Sequence, residues 1–70
     1  MLRREIKSAS FPAAIDLVNR IAQVAEEMDH HPDIDIRWRT LGLGLVTHSA
    51  GGVTRKDEQL AMAINRLAEA

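Results

Sequence analysis

The 70-residue chain predicts a single α+β domain, in which two helices pack on one face of a small antiparallel sheet of about three strands. Three observations predict this fold class. Apolar residues recur at helical spacing in two segments, they alternate with other residues in the segment between, and no linker or repeat divides the chain. We therefore expect residues 1–70 to form one domain with the order strand, helix, strand, strand, helix.

The first two elements are a strand and a long helix. Residues 2–8 are short and mixed in character, and we expect a strand there. Ser10 can act as the N-cap of the helix, and Pro12 is tolerated in its first turn because the missing N–H has no intrahelical partner. Because Pro32 disfavours helical geometry at His31, it is expected to end the helix. The apolar stripe indicates about five turns and consists of Ala14, Leu17, Val18, Ile21, Val24, Ala25 and Met28.

The next two segments predict a hairpin. Ile34, Ile36 and Trp38 alternate with charged residues, as in a strand with one face in solvent. On this pattern Trp38 is expected to pack in the core, with the wall of a binding pocket as the alternative. Residues 41–46 alternate leucines with other residues, and the short connection at 39–40 suits an antiparallel hairpin. The two glycines on one face of this strand indicate either a weak strand or close approach of a ligand or backbone.

The last helix follows the loop at residues 50–52. Thr54 is its expected N-cap, and Asp57 three residues later is placed nearly as in a capping box. The apolar side of this helix is formed by Leu60, Ile64, Leu67 and Ala68. A chain of this length buries only about 60% of its surface, and three strands leave two open edges. We therefore expect self-association, as a homodimer or homotetramer.

Composition excludes several classes of protein. The chain has no cysteine, which removes disulfides and thiolate metal sites. Nine basic residues against ten acidic ones give no basic footprint for nucleic acid. The longest uncharged apolar stretch, residues 41–46, is far shorter than the ~20 residues that span a bilayer, and no signal-peptide core is visible. We expect a cytoplasmic protein that binds neither nucleic acid directly nor a membrane.

The candidate chemistry lies in three histidines at the ends of predicted elements, His30, His31 and His48. Imidazole titrates near pH ~6.5, so it can both give and take a proton. Glu26 lies four residues before His30, where its carboxylate can orient the ring; an exposed helical carboxylate is the alternative. A zinc site on the three histidines is disfavoured, because adjacent residues point in different directions and no fourth ligand is suitably spaced.

Seven positions carry a further signal through their spacing, namely Glu26, His30, His31, Pro32, Trp38, His48 and Asp57. Together with the segment at residues 47–54, this set resembles the signature of the pterin-4a-carbinolamine dehydratases. The resemblance runs from about Phe11 to the C-terminus, which is most of the chain.

The resemblance implies a hydro-lyase that removes water from 4a-hydroxytetrahydrobiopterin to give quinonoid dihydropterin, in tetrahydrobiopterin recycling. It implies that His30 and His48 are the acid/base pair, and that no metal or other cofactor is required. The positions assigned to substrate binding are His31, Pro32, Glu26, Trp38 and Asp57. For Asp57, a helix-capping role is the alternative, and one carboxylate can serve both purposes.

Two features depart from the family pattern. Members usually begin with an extra segment that adds a sheet strand, and this first family strand is expected to be absent here. Ile6 and Ser8 also stand where members carry aromatic residues near the pocket. These departures keep open a second hypothesis, that the chain is a non-catalytic protein-interaction or coactivator module on the same scaffold.

Overall fold

The computed structural model describes residues 1–69, and its elements follow the predicted order. The sheet is antiparallel with the strand order β1-β3-β2, so β3 is central and the other two strands are edges. This confirms the predicted α+β fold class. The elements are β1 (Leu2–Lys7), α1 (Phe11–Met28), β2 (Asp33–Arg37), β3 (Thr40–Leu45), a 3₁₀ turn (His48–Ala50) and α2 (Arg55–Glu69).

The core lies between the central strand and the two helices. Alternation in β3 turns its three leucines to the same side of the sheet, where they are almost completely buried. The apolar stripes of both helices cover them, which is why a sheet of three strands suffices for one continuous core. The buried cluster comprises Leu17, Ile21 and Ala25 of α1, Leu41, Leu43 and Leu45 of β3, and Leu60 and Ile64 of α2.

Helix α1 has well-defined ends. The Ser10 side-chain oxygen accepts a hydrogen bond from the Ala13 N–H at 3.1 Å, which confirms the predicted N-cap. The helix ends at Met28, four residues before Pro32, because Asp29 takes a left-handed conformation (φ 50°). The His30 N–H then bonds back to the Ala25 carbonyl at 3.0 Å, as in a Schellman motif. His30 therefore follows the helix instead of belonging to its last turn.

Trp38 is not in the core, and this prediction from the alternating pattern was wrong. Arg37 pairs with Thr40 across the hairpin, so Trp38 and Arg39 form the two-residue turn between the strands. Trp38 has a positive φ of 55° and is 71% exposed. The Arg39 guanidinium carbon lies 4.7 Å from the centre of its ring, as in a cation–π pair. The strand pattern ends at Ile36 because the turn begins immediately after Arg37.

The face of the sheet opposite the helices is polar and uncovered. Gly42 lies between Glu5 and Asp35, and Gly44 has charged neighbours in the same way. Neither glycine has a positive φ, so backbone conformation does not require glycine at these positions. A cavity of about 500 Å³ lies over this face, lined by strand residues and Met1. No helix within residues 1–69 combines the length and apolar character needed to cross a membrane.

Candidate functional site

The centre of the candidate site is a hydrogen bond between His30 and Asp57. His30 lies in the connection between α1 and β2, and Asp57 lies in the first turn of α2, 27 residues later. His30 Nε2 is 2.6 Å from Asp57 Oδ1. The His30 side chain keeps 11% of its surface exposed, whereas that of Asp57 has none. The imidazole thus stands between a buried carboxylate and the surface.

The second oxygen of Asp57 is held by the protein as well. Oδ2 accepts the hydroxyl of Thr47 and the backbone N–H of Thr54, both at 2.8 Å. The two threonine hydroxyl oxygens are 2.7 Å apart. With the His30 bond to Oδ1, Asp57 accepts three hydrogen bonds. A buried charge is stable only when it is paired and hydrogen-bonded, and these bonds fulfil that condition.

Asp57 is ionised in this environment. Burial by itself acts to raise the pKa of the Asp57 carboxyl, because it penalises the charged form. Hydrogen bonds from His30, Thr54 and Thr47, together with the charge of His30, outweigh burial and leave the pKa of Asp57 below its ordinary value near 3.8. A negative charge is therefore present behind His30 at neutral pH.

This charge determines which nitrogen of His30 carries the proton. An ionised carboxylate only accepts hydrogen bonds, so Nε2 of His30 must donate to Asp57. In a neutral imidazole the other nitrogen, Nδ1, then carries a lone pair and can take up a proton. The carboxylate stabilises the positive charge that the ring acquires, which is the relationship of the aspartate and histidine in a Ser-His-Asp triad.

Asp57 also caps α2. The bond from the Thr54 N–H to its carboxylate is the reciprocal half of a capping box, and the Thr54 hydroxyl oxygen accepts the Lys56 N–H at 3.3 Å. The capping role proposed for Asp57 from the sequence is present, together with a contact to His30. Because the carboxylate is fully buried and its oxygens are occupied, this geometry does not offer Asp57 for direct contact with a substrate.

Glu26 pairs with His31, not with His30 as its i, i+4 spacing suggested. Glu26 Oε2 lies 3.4 Å from His31 Nε2, and both side chains are largely exposed. The expected pairing with His30 is wrong because the left-handed residue Asp29 ends the helix before that position is reached. The two adjacent histidines thus have different partners, one buried and one exposed.

The other expected site residues lie at different distances from this centre. His48 is exposed, begins the 3₁₀ turn and directly follows Thr47, so it adjoins the Asp57 network. Pro32 is half-buried just before β2. Trp38 follows the other end of β2, and five residues of strand place it about 17 Å farther along the chain direction. One protomer therefore joins His30 to Asp57 and places His48 directly after Thr47 of the same network in sequence, whereas Trp38 follows the far end of β2.

Sequence reasoning included Thr47 and Thr54 in the segment that resembles the family, but it gave Thr47 no role and Thr54 only that of a cap. The spacing of Thr54 and Asp57 predicted the bond between them. No local sequence pattern indicates that the Thr47 hydroxyl reaches a carboxylate ten residues later.

Within residues 1–69 the structure contains no group of three or more histidine, aspartate or glutamate side chains arranged to hold a metal ion.

The chain matches a known protein family. Residues 1–67 match the family described as "Pterin 4 alpha carbinolamine dehydratase". The chain is 61% identical over 66 residues to a Mycolicibacterium smegmatis protein, and 57% identical over 67 residues to one from Nocardia farcinica. Each carries the name "Putative pterin-4-alpha-carbinolamine dehydratase". These matches cover 94% and 96% of this chain, and 70% of each relative.

A solved structure agrees with the sequence comparisons. The fold is similar, with a TM-score of 0.90 and 33% sequence identity, to a crystal structure from Brucella melitensis described as a transcriptional coactivator/pterin dehydratase. The match covers 94% of this chain and 70% of that one. The likeness therefore extends over nearly the whole domain described above.

Proposed function

Because this chain belongs to the pterin 4 alpha carbinolamine dehydratase family, we propose that it removes water from 4a-hydroxytetrahydrobiopterin to give quinonoid dihydropterin. The observation that carries the proposal is the 2.6 Å bond between His30 and the buried Asp57. This bond prepares one imidazole for proton transfer at the surface. The proposal includes a cytoplasmic location and a place in tetrahydrobiopterin recycling.

The reaction needs one proton acceptor and one proton donor. The bond between C4a and the hydroxyl oxygen breaks, and the oxygen leaves as water after gaining a proton. The adjacent ring nitrogen loses its proton as a double bond forms between it and C4a. One proton enters and one departs, so no oxidant or reductant is consumed. Positioned acid and base groups each contribute roughly 10²–10⁴-fold to such a step.

We assign these two tasks to His30 and His48. His30 is the proton acceptor, through Nδ1, because the ionised Asp57 stabilises the imidazolium that results. His48 is the donor to the departing hydroxyl, because it is exposed next to the residue that holds Asp57. Asp57 acts through His30, so its role is positioning and charge stabilisation.

Substrate binding is assigned to the exposed groups around this pair. His31, the residue after His30, forms a polar pair with Glu26, and this pair suits the hydrogen-bonding edge of a pterin. Pro32 restricts the backbone that presents both histidines. The position of Trp38, about 17 Å along the strand, fits a subunit contact better than a contact with substrate in the same protomer.

We propose that the protein forms a homodimer or homotetramer. Both edge strands, β1 and β2, are unpaired on their outer sides. Exposed tryptophan is typical of interfaces, and Met62, Met1 and Phe11 also expose about half their surface. Light scattering at micromolar concentration is expected to give a mass of two or four chains; a folded monomer would contradict this.

The test of activity uses the purified protein and freshly generated 4a-hydroxytetrahydrobiopterin. Dehydration is followed by ultraviolet absorbance against buffer alone. The expected result is acceleration by the wild-type protein and loss of most of it in a folded His48→Ala variant. Folded wild-type protein that gives only the buffer rate would refute the proposal.

A second candidate function is a protein-interaction module. The observation that favours this candidate is the similar Brucella melitensis structure, which is described as a coactivator as well as a dehydratase. On this hypothesis, a binding partner should be retained by a His30→Ala variant, because the binding surface does not depend on proton transfer. A partner whose binding follows catalytic competence would count against it.

A further inference from the structure

The hydroxyl groups behind Asp57 have only one consistent set of donors. The ionised carboxylate can only accept, so the Thr47 hydroxyl donates its single proton to Asp57 Oδ2 at 2.8 Å. The 2.7 Å contact between the two threonine oxygens therefore has Thr54 as donor and Thr47 as acceptor. The Thr54 oxygen in turn accepts the backbone N–H of Lys56. The resulting relay runs in one direction, from the helix backbone to the carboxylate.

This relay fixes the rotation of the Asp57 carboxylate. With Oδ2 held by the Thr47 hydroxyl and the Thr54 N–H, rotation of the carboxylate would break both bonds. Oδ1 is consequently kept in line with His30 Nε2 at 2.6 Å. The orientation of the His30 ring then depends on a hydroxyl that is hydrogen-bonded to Asp57 and Thr54 and acts on the ring through Asp57.

Thr47 also anchors the turn that carries His48. Its backbone N–H donates to the Gly52 carbonyl at 3.0 Å, and the Gly52 N–H returns to the Thr47 carbonyl at 3.4 Å. This isolated bridge closes the segment that contains the 3₁₀ turn. The side chain of Thr47 thus donates to Asp57, the partner of His30. Its backbone pairs with Gly52 and closes the turn that begins at His48.

We propose that Thr47 is a positioning residue of the site, which sets the orientation of His30 through Asp57 and joins it to the turn bearing His48. The expected effect of Thr47 on the reaction rate rests on the proposed dehydration. Its effect on the orientation of the His30 ring is a property of the free protein and does not. Thr47 is 7% exposed, so it acts without touching substrate.

The experiment compares Thr47→Val, Thr47→Ser and Thr40→Val. Valine has the shape of threonine without the hydroxyl, serine restores the hydroxyl, and Thr40 lies at the start of β3, outside the relay. The ¹⁵N shifts of the His30 ring report which nitrogen bears the proton in the free protein. We expect Nε2–H in wild type, Thr47→Ser and Thr40→Val, and a mixture of tautomers in Thr47→Val.

The kinetic expectation is a fall in kcat of about tenfold for Thr47→Val with KM nearly unchanged, as for loss of one hydrogen bond used in the transition state. Thr47→Ser should recover most of this loss. If Thr47→Val does not fold, Thr54→Val removes the donor to Thr47 and should change the His30 ring signals in the same direction, more weakly.

Two results would overturn the proposal. One is a Thr47→Val protein with the wild-type His30 tautomer and wild-type kcat. The other is a variant whose melting temperature falls while the tautomer stays as in wild type, which identifies a purely structural role. If the tautomer changes but wild-type protein dehydrates no substrate, the proposed function fails while the hold of Thr47 on His30 stands.

Discussion

His30 Nε2 and Asp57 Oδ1 lie 2.6 Å apart, and the carboxylate has no surface in contact with solvent. The relationship joins the connection after the first helix to the first turn of the second. Because 27 positions separate the two residues in sequence, they do not belong to a common local motif. The fold brings them together because both helices pack on the same side of the sheet.

Replacing Asp57 by asparagine should remove most activity from a folded protein. The side-chain amide can donate to Nε2 of His30, which favours the tautomer with the proton on Nδ1 and blocks the outward lone pair. The expected loss in kcat is roughly 10²–10⁴-fold, the usual contribution of a general base. Steady-state kinetics, with circular dichroism to confirm folding, make the measurement.

Asp16→Asn is the matched control for this change. Asp16 forms an exposed i, i+4 ion pair with Arg20 at 3.1 Å, so the same substitution there alters charge without touching the site. Its kcat should equal that of wild type. A folded Asp57→Asn protein that retained wild-type kcat would contradict the role assigned to this carboxylate.

The contribution of Asp57 to stability should depend on pH in a defined direction. Its pKa is lowered in the folded state, so the stabilisation is present above the unfolded value near ~3.9 and is lost as pH falls through the folded value. Urea unfolding at fixed protein concentration should show wild type more stable than Asp57→Asn at pH 7. That difference should narrow below pH ~4; an equal difference at pH 7 and pH 3 would contradict it.

Glu26→Gln should affect substrate binding more than folding. The pair with His31 is long, 3.4 Å, and mostly exposed, so its contribution to stability is about 0–1 kcal/mol. If the pair holds the pterin, KM rises while kcat is nearly unchanged. Glu27→Gln, on the neighbouring exposed position, is the control. An unchanged KM in Glu26→Gln would remove this residue from the site.

Alanine at two glycines should have opposite effects on stability. At Gly42 an added Cβ would lie 3.6 Å from the Asp35 carbonyl oxygen, an ordinary contact, so Gly42→Ala should be tolerated or stabilise by about 0.4–1 kcal/mol. Gly51 has φ +73°, and Gly51→Ala should destabilise by about 1–2 kcal/mol. Thermal unfolding measures both. Loss of activity in a stable Gly42→Ala protein would instead support close approach of a ligand to that face.

Both helices and the central strand were predictable because apolar residues recur in each at a regular spacing. The stripe of α1 and the leucines of β3 have the periods of a helix and a strand, and Ser10 caps as its position indicates. The pattern failed at Trp38, where alternation continues in the sequence although the chain has begun to turn. Hairpin register, which ends the strand at Arg37, depends on the partner strand and not on local residues.

The contacts of the candidate site residues were predictable only in part. The spacing of the histidines made them candidates for the site, and the position of Asp57 three residues after Thr54 predicted its capping bond. Glu26 was assigned to the wrong histidine because a single left-handed residue, Asp29, redirects the chain. The hydroxyl of Thr47 could not be found, since its bond to Asp57 exists only after the helices and sheet have packed.

The double attachment of Asp57, to the Thr54 N–H and to His30, has a consequence for how this family can diverge. A relative without dehydratase activity would still gain a capping bond for its second helix from this carboxylate, so aspartate at this position has a structural use apart from catalysis. The His30 side chain caps no helix within the described residues, and its hydrogen bond is to Asp57. The residue at position 30 is therefore more informative than the residue at position 57 for distinguishing catalytic members of the family from non-catalytic binding modules.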